Sequence, residues 1–253
     1  MRPLFIKFLI IICTIILNFN SSLAKEFKYD VRAYNLNVMD INFNIDDEIN
    51  NKITFSAESV GIVGFFVKVF AKSKVEFNDK NTWKYEYRYD KPSSNKYRVN
   101  KINFSKEKVL NFETDPPRNE DLTKKVPYNK QDYFGVIDPI FAVKKLFLLD
   151  KKNLDCDKKI KVFDGNIFFY LVMKKENVRL DFDSVFSNYK GTLQKCILTY
   201  QPISGYIPGD PNTPEQFKVD LYFGIVGDNY FPIYATTKGK KGIRLKMYLD
   251  TIQ

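Results

Sequence analysis

Histidine is absent from this chain, and tryptophan occurs once. Without an imidazole, serine–histidine and cysteine–histidine nucleophile systems are excluded, as are zinc sites that need a histidine ligand. Cysteine is scarce, at three residues. Cys13 sits in an apolar N-terminal run, so only Cys156 and Cys196 remain beyond it, too few for a thiolate cluster. Glycine is sparse as well, and Gly61-Ile62-Val63-Gly64 lacks both the lysine and the third glycine of a phosphate-cradling loop. No cofactor and no metal is expected.

Long hydrophobic runs are also missing, with one informative near-exception. Arg2 and Lys7 precede an apolar stretch from Phe8 to Leu17, and Ser22-Leu23-Ala24 follows with small residues at the spacing of a cleavage box. The stretch covers about ten residues, half of the roughly 20 that a membrane-spanning helix needs. It predicts a secretory signal peptide, residues 1–24, removed after Ala24, and a mature chain 25–253 that is periplasmic or secreted. Cys13 lies inside the run rather than just after the box, which argues against a lipoprotein anchor. In an exported chain, the pair Cys156 and Cys196 predicts one disulfide. Two buried free thiols are the competing reading, and the absence of C-x-x-C argues against a redox pair.

The formal net charge is +10. Lysines are dispersed, with no block longer than Lys124-Lys125 or Lys240-Lys241. That is a solvated basic surface rather than a nucleic-acid footprint, so nucleic acid is not expected as a partner. A weak attraction for anionic lipid or polysaccharide is the alternative, with at most peripheral membrane contact.

What is abundant is alternation. Phe27, Tyr29, Val31 and Ala33 alternate with polar neighbours, as do Trp83, Tyr85, Tyr87 and Tyr89, the period of a strand with one buried face. Further strands are predicted over Met39–Ile45, Lys52–Ser59, Lys74–Asn78, Tyr97–Phe104, Val109–Phe112, Ile160–Phe163, Asn166–Lys174, Val178–Phe182, Thr192–Gln201, Glu215–Gly224, Phe231–Lys238 and Gly242–Ile252. Asp164-Gly165 reads as a tight hairpin turn, and so does Lys238–Gly242. The expected fold is mainly β, one domain with a strongly curved antiparallel sheet, half-barrel or barrel-like, of about ten or more strands.

Two segments break the rhythm. Asp138-Pro139 supplies a side-chain cap and a first-turn proline, predicting a helix over Ile140–Leu149. Its apolar residues cover more than one face, which suits one short helix lodged on the sheet's concave side. Val60–Phe70 is nearly uncharged, and the pattern leaves buried strand, short helix and mobile flap all open. Thr114–Gln131 reads as a long loop within the same domain.

Chemistry-bearing patterns are weak. Ser93-Ser94-Asn95-Lys96 fits S-x-x-K but follows Pro92 between two strands, without companion motifs, and reads as an exposed turn. Asp181 and Asp183 share one strand face and read as solvated acids; Asp46-Asp47-Glu48 reads as a hairpin tip. Aromatics make up 16% of the chain, which fits a packed β core. A cavity for acyl chains or a stacking platform for sugars uses the same residue types.

The C-terminal half resembles a known group. Cys156, Ile160–Gly165, Phe168, Tyr170-Leu171, Tyr189-Lys190-Gly191, Cys196 and Tyr200–Tyr206 are similar to a family of exported proteobacterial proteins catalogued as a domain of unknown function. Phe231–Tyr234 with Thr236, Thr237 and Gly239 fits that family's closing strands, Asp138-Pro139 fits its helix, and Tyr29–Met39 matches more loosely. This chain carries lysine where the family favours arginine. The resemblance implies a periplasmic β-rich protein, with no catalytic residues to carry over. Curved sheets around a helix also occur in periplasmic lipoprotein carriers, a likeness of architecture that does not give function.

The functional expectation is non-enzymatic binding of an apolar or envelope-derived ligand, with a lipid or other envelope component as partner. Phe65, Phe66, Phe141 and Phe147 are its candidate lining, because Val60–Phe70 and Ile140–Leu149 are more apolar than alternation requires. A structural scaffold at the envelope and a carboxylate-dependent hydrolase using Asp181 and Asp183 are the competing classes.

Overall fold

A computed structural model of the chain describes residues 25–46, 52–66, 68–117, 122–150, 154–209, 217–238 and 242–252. The expected leader, residues 1–24, and most of the expected Asp46–Glu48 tip lie outside them. Fourteen strands in chain order form one sheet. They are β1 (Lys25–Ala33), β2 (Leu36–Asp46), β3 (Lys52–Ser59), β4 (Phe70–Phe77), β5 (Thr82–Lys91), β6 (Lys96–Ser105), β7 (Val109–Asp115), β8 (Leu149–Asp150), β9 (Lys158–Phe163), β10 (Phe168–Asp183), β11 (Lys190–Ser204), β12 (Phe217–Val226), β13 (Asn229–Lys238) and β14 (Arg244–Ile252). Among the described residues two α-helices accompany them, α1 (Gly61–Phe66) and α2 (Pro139–Phe147).

The order across the sheet is β7-β6-β5-β4-β3-β2-β1-β14-β13-β12-β11-β10-β9, with β8 attached to β13. Every named pair is antiparallel, and within β1–β7 and within β9–β14 each strand pairs with its neighbour in sequence. Two pairs are not neighbours in sequence: β8 with β13, and at the centre β1 with β14, which joins the two meanders. The β1–β2 turn shows the local logic. Tyr34 and Asn35 have φ of 49° and 65°, the two positive values of a two-residue hairpin turn, and asparagine tolerates this conformation better than most residues.

The two ends of the sheet meet. Laid flat at about 4.8 Å per strand, β7 and β9 would stand about 58 Å apart. Instead the rings of Phe112 on β7 and Phe163 on β9 are 5.0 Å apart, edge to face. Asn100 on β6 donates to the Asp164 carbonyl beyond β9 at 2.9 Å. No ladder joins β7 to β9 among the described residues. The segment Phe134–Ile137 bridges the ends instead: Gly135 donates to Glu107, Ile137 donates to Lys161, and Phe163 donates back to Ile137. The sheet is curled but not closed, the half-barrel rather than the barrel of the two forms expected.

The main core lies inside this curl and draws on both halves, from Phe27, Phe43, Ile53 and Val75 to Phe168, Leu193, Phe231 and Ile233. Trp83 stacks on Phe104 at 5.4 Å, and Phe163 on Phe168 at 4.1 Å. α2 touches β3 and β4 on one side and β9 and β13 on the other, so it lies between the two halves. Ile140 points into the main core, Leu146 into a second cluster with the cysteines, and Ala142 into a third with Val162 and Phe169. This explains why its apolar residues are not confined to one stripe.

Several local expectations are corrected. The helix ends at Phe147 rather than Leu149, because Leu148 is extended, and Leu149–Asp150 pairs with Asn229–Tyr230. The strands expected over 166–174 and 178–182 are one 16-residue strand, β10. Its polar middle is carried across a register shift between Lys175 and Arg179, where the Gln194 amide donates to the carbonyls of Glu176 and Val178. The turn at Asp164-Gly165 is longer than a two-residue hairpin, with the Asp164 carboxylate accepting from the N–H groups of Asn166 and Ile167. Within the expected loop 114–131, Leu122–Lys124 forms a short 3-10 turn, and Lys130–Tyr133 forms another across its end. Val60–Phe70 resolves into α1 followed by the start of β4.

Candidate functional site

The site is built around α2, and a buried acid sets where that helix begins. Asp138 has no exposed surface. Its Oδ1 accepts from the N–H groups of Ile140 and Phe141 at 2.9 and 2.8 Å, closing the first turn. Its Oδ2 accepts from Trp83 Nε1 at 2.8 Å, tying the helix start to β5. Burial pushes the carboxyl up to about 6, against the N–H donors of Phe141, Trp83, Ile140 and its own backbone, which favour the charged form. Phe141 then packs edge-on against Trp83 and Phe77, with ring centroids 5.6 and 5.2 Å away.

The last turn of α2 separates two clefts. On one flank Phe147 overhangs an apolar groove of about 250 Å³ lined by Val31, Leu198, Val219, Leu221, Ala235, Leu245 and Met247, with Thr236, Thr237 and Lys246 at its margin. The registers show why these side chains meet. Leu198 pairs with Val219, Val219 with Thr237, Leu221 with Ala235, Ala235 with Met247, and Met247 with Val31. The result is one continuous apolar face across β11, β12, β13, β14 and β1. The opposite face of the same strands supplies Leu193, Ile233 and Tyr248 to the main core. Leu198, Val219, Leu245 and Met247 are only half-buried, so this face is not fully covered by α2.

On the other flank, Lys144 and Lys145 of α2 and Lys158 and Lys159 of β9 surround Phe141, Leu148 and Ile160 in a wider cleft of about 570 Å³. Among the described residues, no carboxylate lines it. Lys158 donates to the Lys145 carbonyl at 3.2 Å, one of the C-terminal helix carbonyls that lack an intrahelical partner. Lys145 and Lys159 lie over the rings of Phe141 and Tyr170 at 4.8 and 3.9 Å. Cations here offset the negative end of the helix.

Of the four phenylalanines expected to line a site, Phe141 and Phe147 stand on these two flanks. Phe65 does not join them. It is 85% exposed on α1, which packs on β2 and β3 at the opposite end of the β3–β4 pair from Phe77. The Phe66 side chain lies outside the described residues. Cys156 and Cys196 are joined in a disulfide, with Cα atoms 6.1 Å apart, and both belong to the cluster that holds Leu146. Sequence reasoning missed Leu198, Val219, Leu221, Leu245 and Met247. Their signal is apolar residues at both parities of the same strands, which strict alternation does not produce.

The two strand acids both have polar partners. Asp181 accepts from Thr192 Oγ1 at 2.9 Å and Asp183 pairs with Lys190 at 3.1 Å, each across the β10–β11 hairpin. Among the described residues no group of three metal-binding side chains converges. Ser93 lies in the 3-10 turn Pro92–Ser94, not at a helix start. A buried polar cluster that sequence reasoning missed joins Ser204 Oγ to Asp132 at 2.6 Å, with Lys161 3.8 Å from the same carboxylate. Burial holds Lys161 below its ordinary value, with Asp132 opposing. Ser204 is 2% exposed, so the cluster fastens the segment at Asn129–Tyr133 to β11 rather than presenting a nucleophile. No helix among the described residues is long and apolar enough to cross a membrane. No family profile, curated protein or solved structure matches the chain.

Proposed function

We propose that this chain is a non-enzymatic binding protein for an amphipathic anion of the cell envelope, acting outside the cytosol after loss of residues 1–24. The apolar groove under Phe147 carries the reading. An uncovered face made of leucine, valine and methionine across five neighbouring strands gains from an apolar occupant, at about 25 cal/mol for each Å² removed from water. Its volume of about 250 Å³ falls below the roughly 300–1,000 Å³ of drug-sized sites. It therefore suits a single acyl chain rather than a whole two-chain lipid. Lys145, Lys158 and Lys159 across α2 favour a negative head group over a neutral one. The resemblance to exported proteins and the disulfide agree with an extracytosolic role.

Calorimetric titration with dodecyl phosphate, below its micelle-forming concentration, tests this. The wild type binds it in preference to dodecyl maltoside, and Val219→Trp, which fills the groove from a half-buried position, weakens binding roughly tenfold or more. Equal affinity in the variant, with its circular dichroism unchanged, removes the groove as the site.

A further inference from the structure

The other helix, α1, presents a surface of a different kind. α1 stands in the connection Val60–Val69, whose base is closed where Ser59 and Val69 exchange hydrogen bonds at 3.0 and 2.8 Å. Two glycines press it flat onto the end of the sheet. A side chain at Gly64 would meet the Ser59 carbonyl oxygen at 2.5 Å, and one at Gly61, where φ is +60°, would meet the Asn37 oxygen at 2.8 Å. The helix is therefore held with Val63 and Phe65 outward, 43% and 85% exposed. Beside it, on the β1–β2 turn, Tyr34 and Leu36 are 80% and 57% exposed. These four side chains make a convex apolar knob at one end of the sheet.

The surrounding charge is one-sided. Lys68 follows α1. The strand order sets the β5–β6 connection on one side of it and the β1–β2 and β13–β14 connections on the other. Those turns are flanked by Lys91, Lys96, Lys238 and Arg244, with no carboxylate among their described residues. Glu58 stands at the base, and Asp90 is bound to Arg88 at 2.7 Å.

We infer that α1 and the β1–β2 turn form a tip that inserts Phe65, Val63, Leu36 and Tyr34 into the interface of an anionic lipid bilayer, with the surrounding cations on its head groups. A convex knob has no concavity in which to seat a ligand, and a ring of cations selects a negative surface. Exposed aromatics suit the interfacial depth, and basic residues near a membrane add attraction that falls off within a screening length. The inference does not depend on the groove under Phe147, and its test uses bilayers rather than a dissolved ligand.

Sedimentation with vesicles of phosphatidylglycerol and phosphatidylcholine, compared with phosphatidylcholine alone, provides that test. Wild type and variants are prepared identically with respect to residues 1–24. Wild type partitions to the anionic vesicles and is released by high salt. Phe65→Ser lowers the partition coefficient roughly tenfold or more, and Val63→Ser lowers it less. Both leave the emission of Trp83 unchanged, because that residue lies in the core. Phe65→Ser binding as wild type does overturns the inserted knob. Equal, salt-insensitive binding to neutral vesicles overturns the role of the cations. A concentration-dependent dimer abolished by Phe65→Ser assigns the knob to a second copy of the chain instead, and also overturns the proposal.

Discussion

Replacing Asp138 with alanine destabilises the protein by about 3–5 kcal/mol, the largest single-residue effect expected here. The substitution leaves three N–H groups without their acceptor: those of Ile140, Phe141 and Trp83. Each unsatisfied buried donor costs about 1–3 kcal/mol, and loss of a helix cap about 1 kcal/mol, with overlap between the two. Against a typical total stability of about 5–15 kcal/mol, that brings the fold close to unfolding. Urea denaturation followed by the emission of Trp83, the sole tryptophan, measures it directly; a loss under about 1 kcal/mol contradicts the role given to the carboxylate.

The same group makes stability depend on pH, with a definite sign. Burial raises Asp138 from 3.8 to about 6, so between these values the folded chain holds a proton that the unfolded chain has released. The stabilisation is fully present below about pH 4 and is lost as pH rises through about 6, a span on the order of 3 kcal/mol. Asp138→Asn removes this titration. The difference between wild type and Asp138→Asn therefore declines from pH 4 to pH 6, and Trp83 emission in the wild type shifts with a midpoint near 6. A difference that is flat across that window contradicts the raised value.

The second large effect concerns the disulfide. Opening Cys156–Cys196, which encloses 40 residues of sequence separation, lowers stability by about 4 kcal/mol in the chain-entropy account. The consequence reaches the groove. The bond fastens the segment at Leu154–Cys156 onto β11, next to Leu146 and Met173, and this cluster supports the last turn of α2, where Phe147 stands. Reduction, or Cys156→Ala with Cys196→Ala, is expected to lower the denaturation midpoint and weaken dodecyl phosphate binding together. Two thiols titrating in the unreduced, unfolded protein contradict the bond. A stability change under about 1 kcal/mol contradicts its weight.

The sheet was legible because its residues bury one face at a time. Trp83, Tyr85 and Tyr87 alternate with Lys84, Glu86 and Arg88, and the first two are 4% and 3% exposed. α2 was legible from Asp138-Pro139, since a capping carboxylate before a proline has few other uses. Where the pattern failed, the physics differed. The middle of β10, Lys174–Asn177, is polar on both faces, and pairing of Lys174 and Lys175 with Ile197 and Cys196, with the Gln194 side-chain amide on the carbonyls of Glu176 and Val178, holds it rather than burial. α1 spans six residues, less than two turns, too short for a 3.6-residue period to show, and its glycines report contact with Ser59 and Asn37 rather than a helix. The groove was hidden because β11 to β14 carry apolar residues on both faces. Such a run reads as a strand buried twice over, and only the registers reveal that one face is left partly open.

The central claim is that the face under Phe147 holds the apolar part of an amphipathic anion. Native mass spectrometry of the protein released gently from the cells that make it tests this most directly. The account predicts a retained mass matching one single-chain anionic amphiphile, absent from Val219→Trp prepared in the same way. Recovery of bare protein in repeated preparations, with added dodecyl phosphate failing to form an adduct, would contradict it.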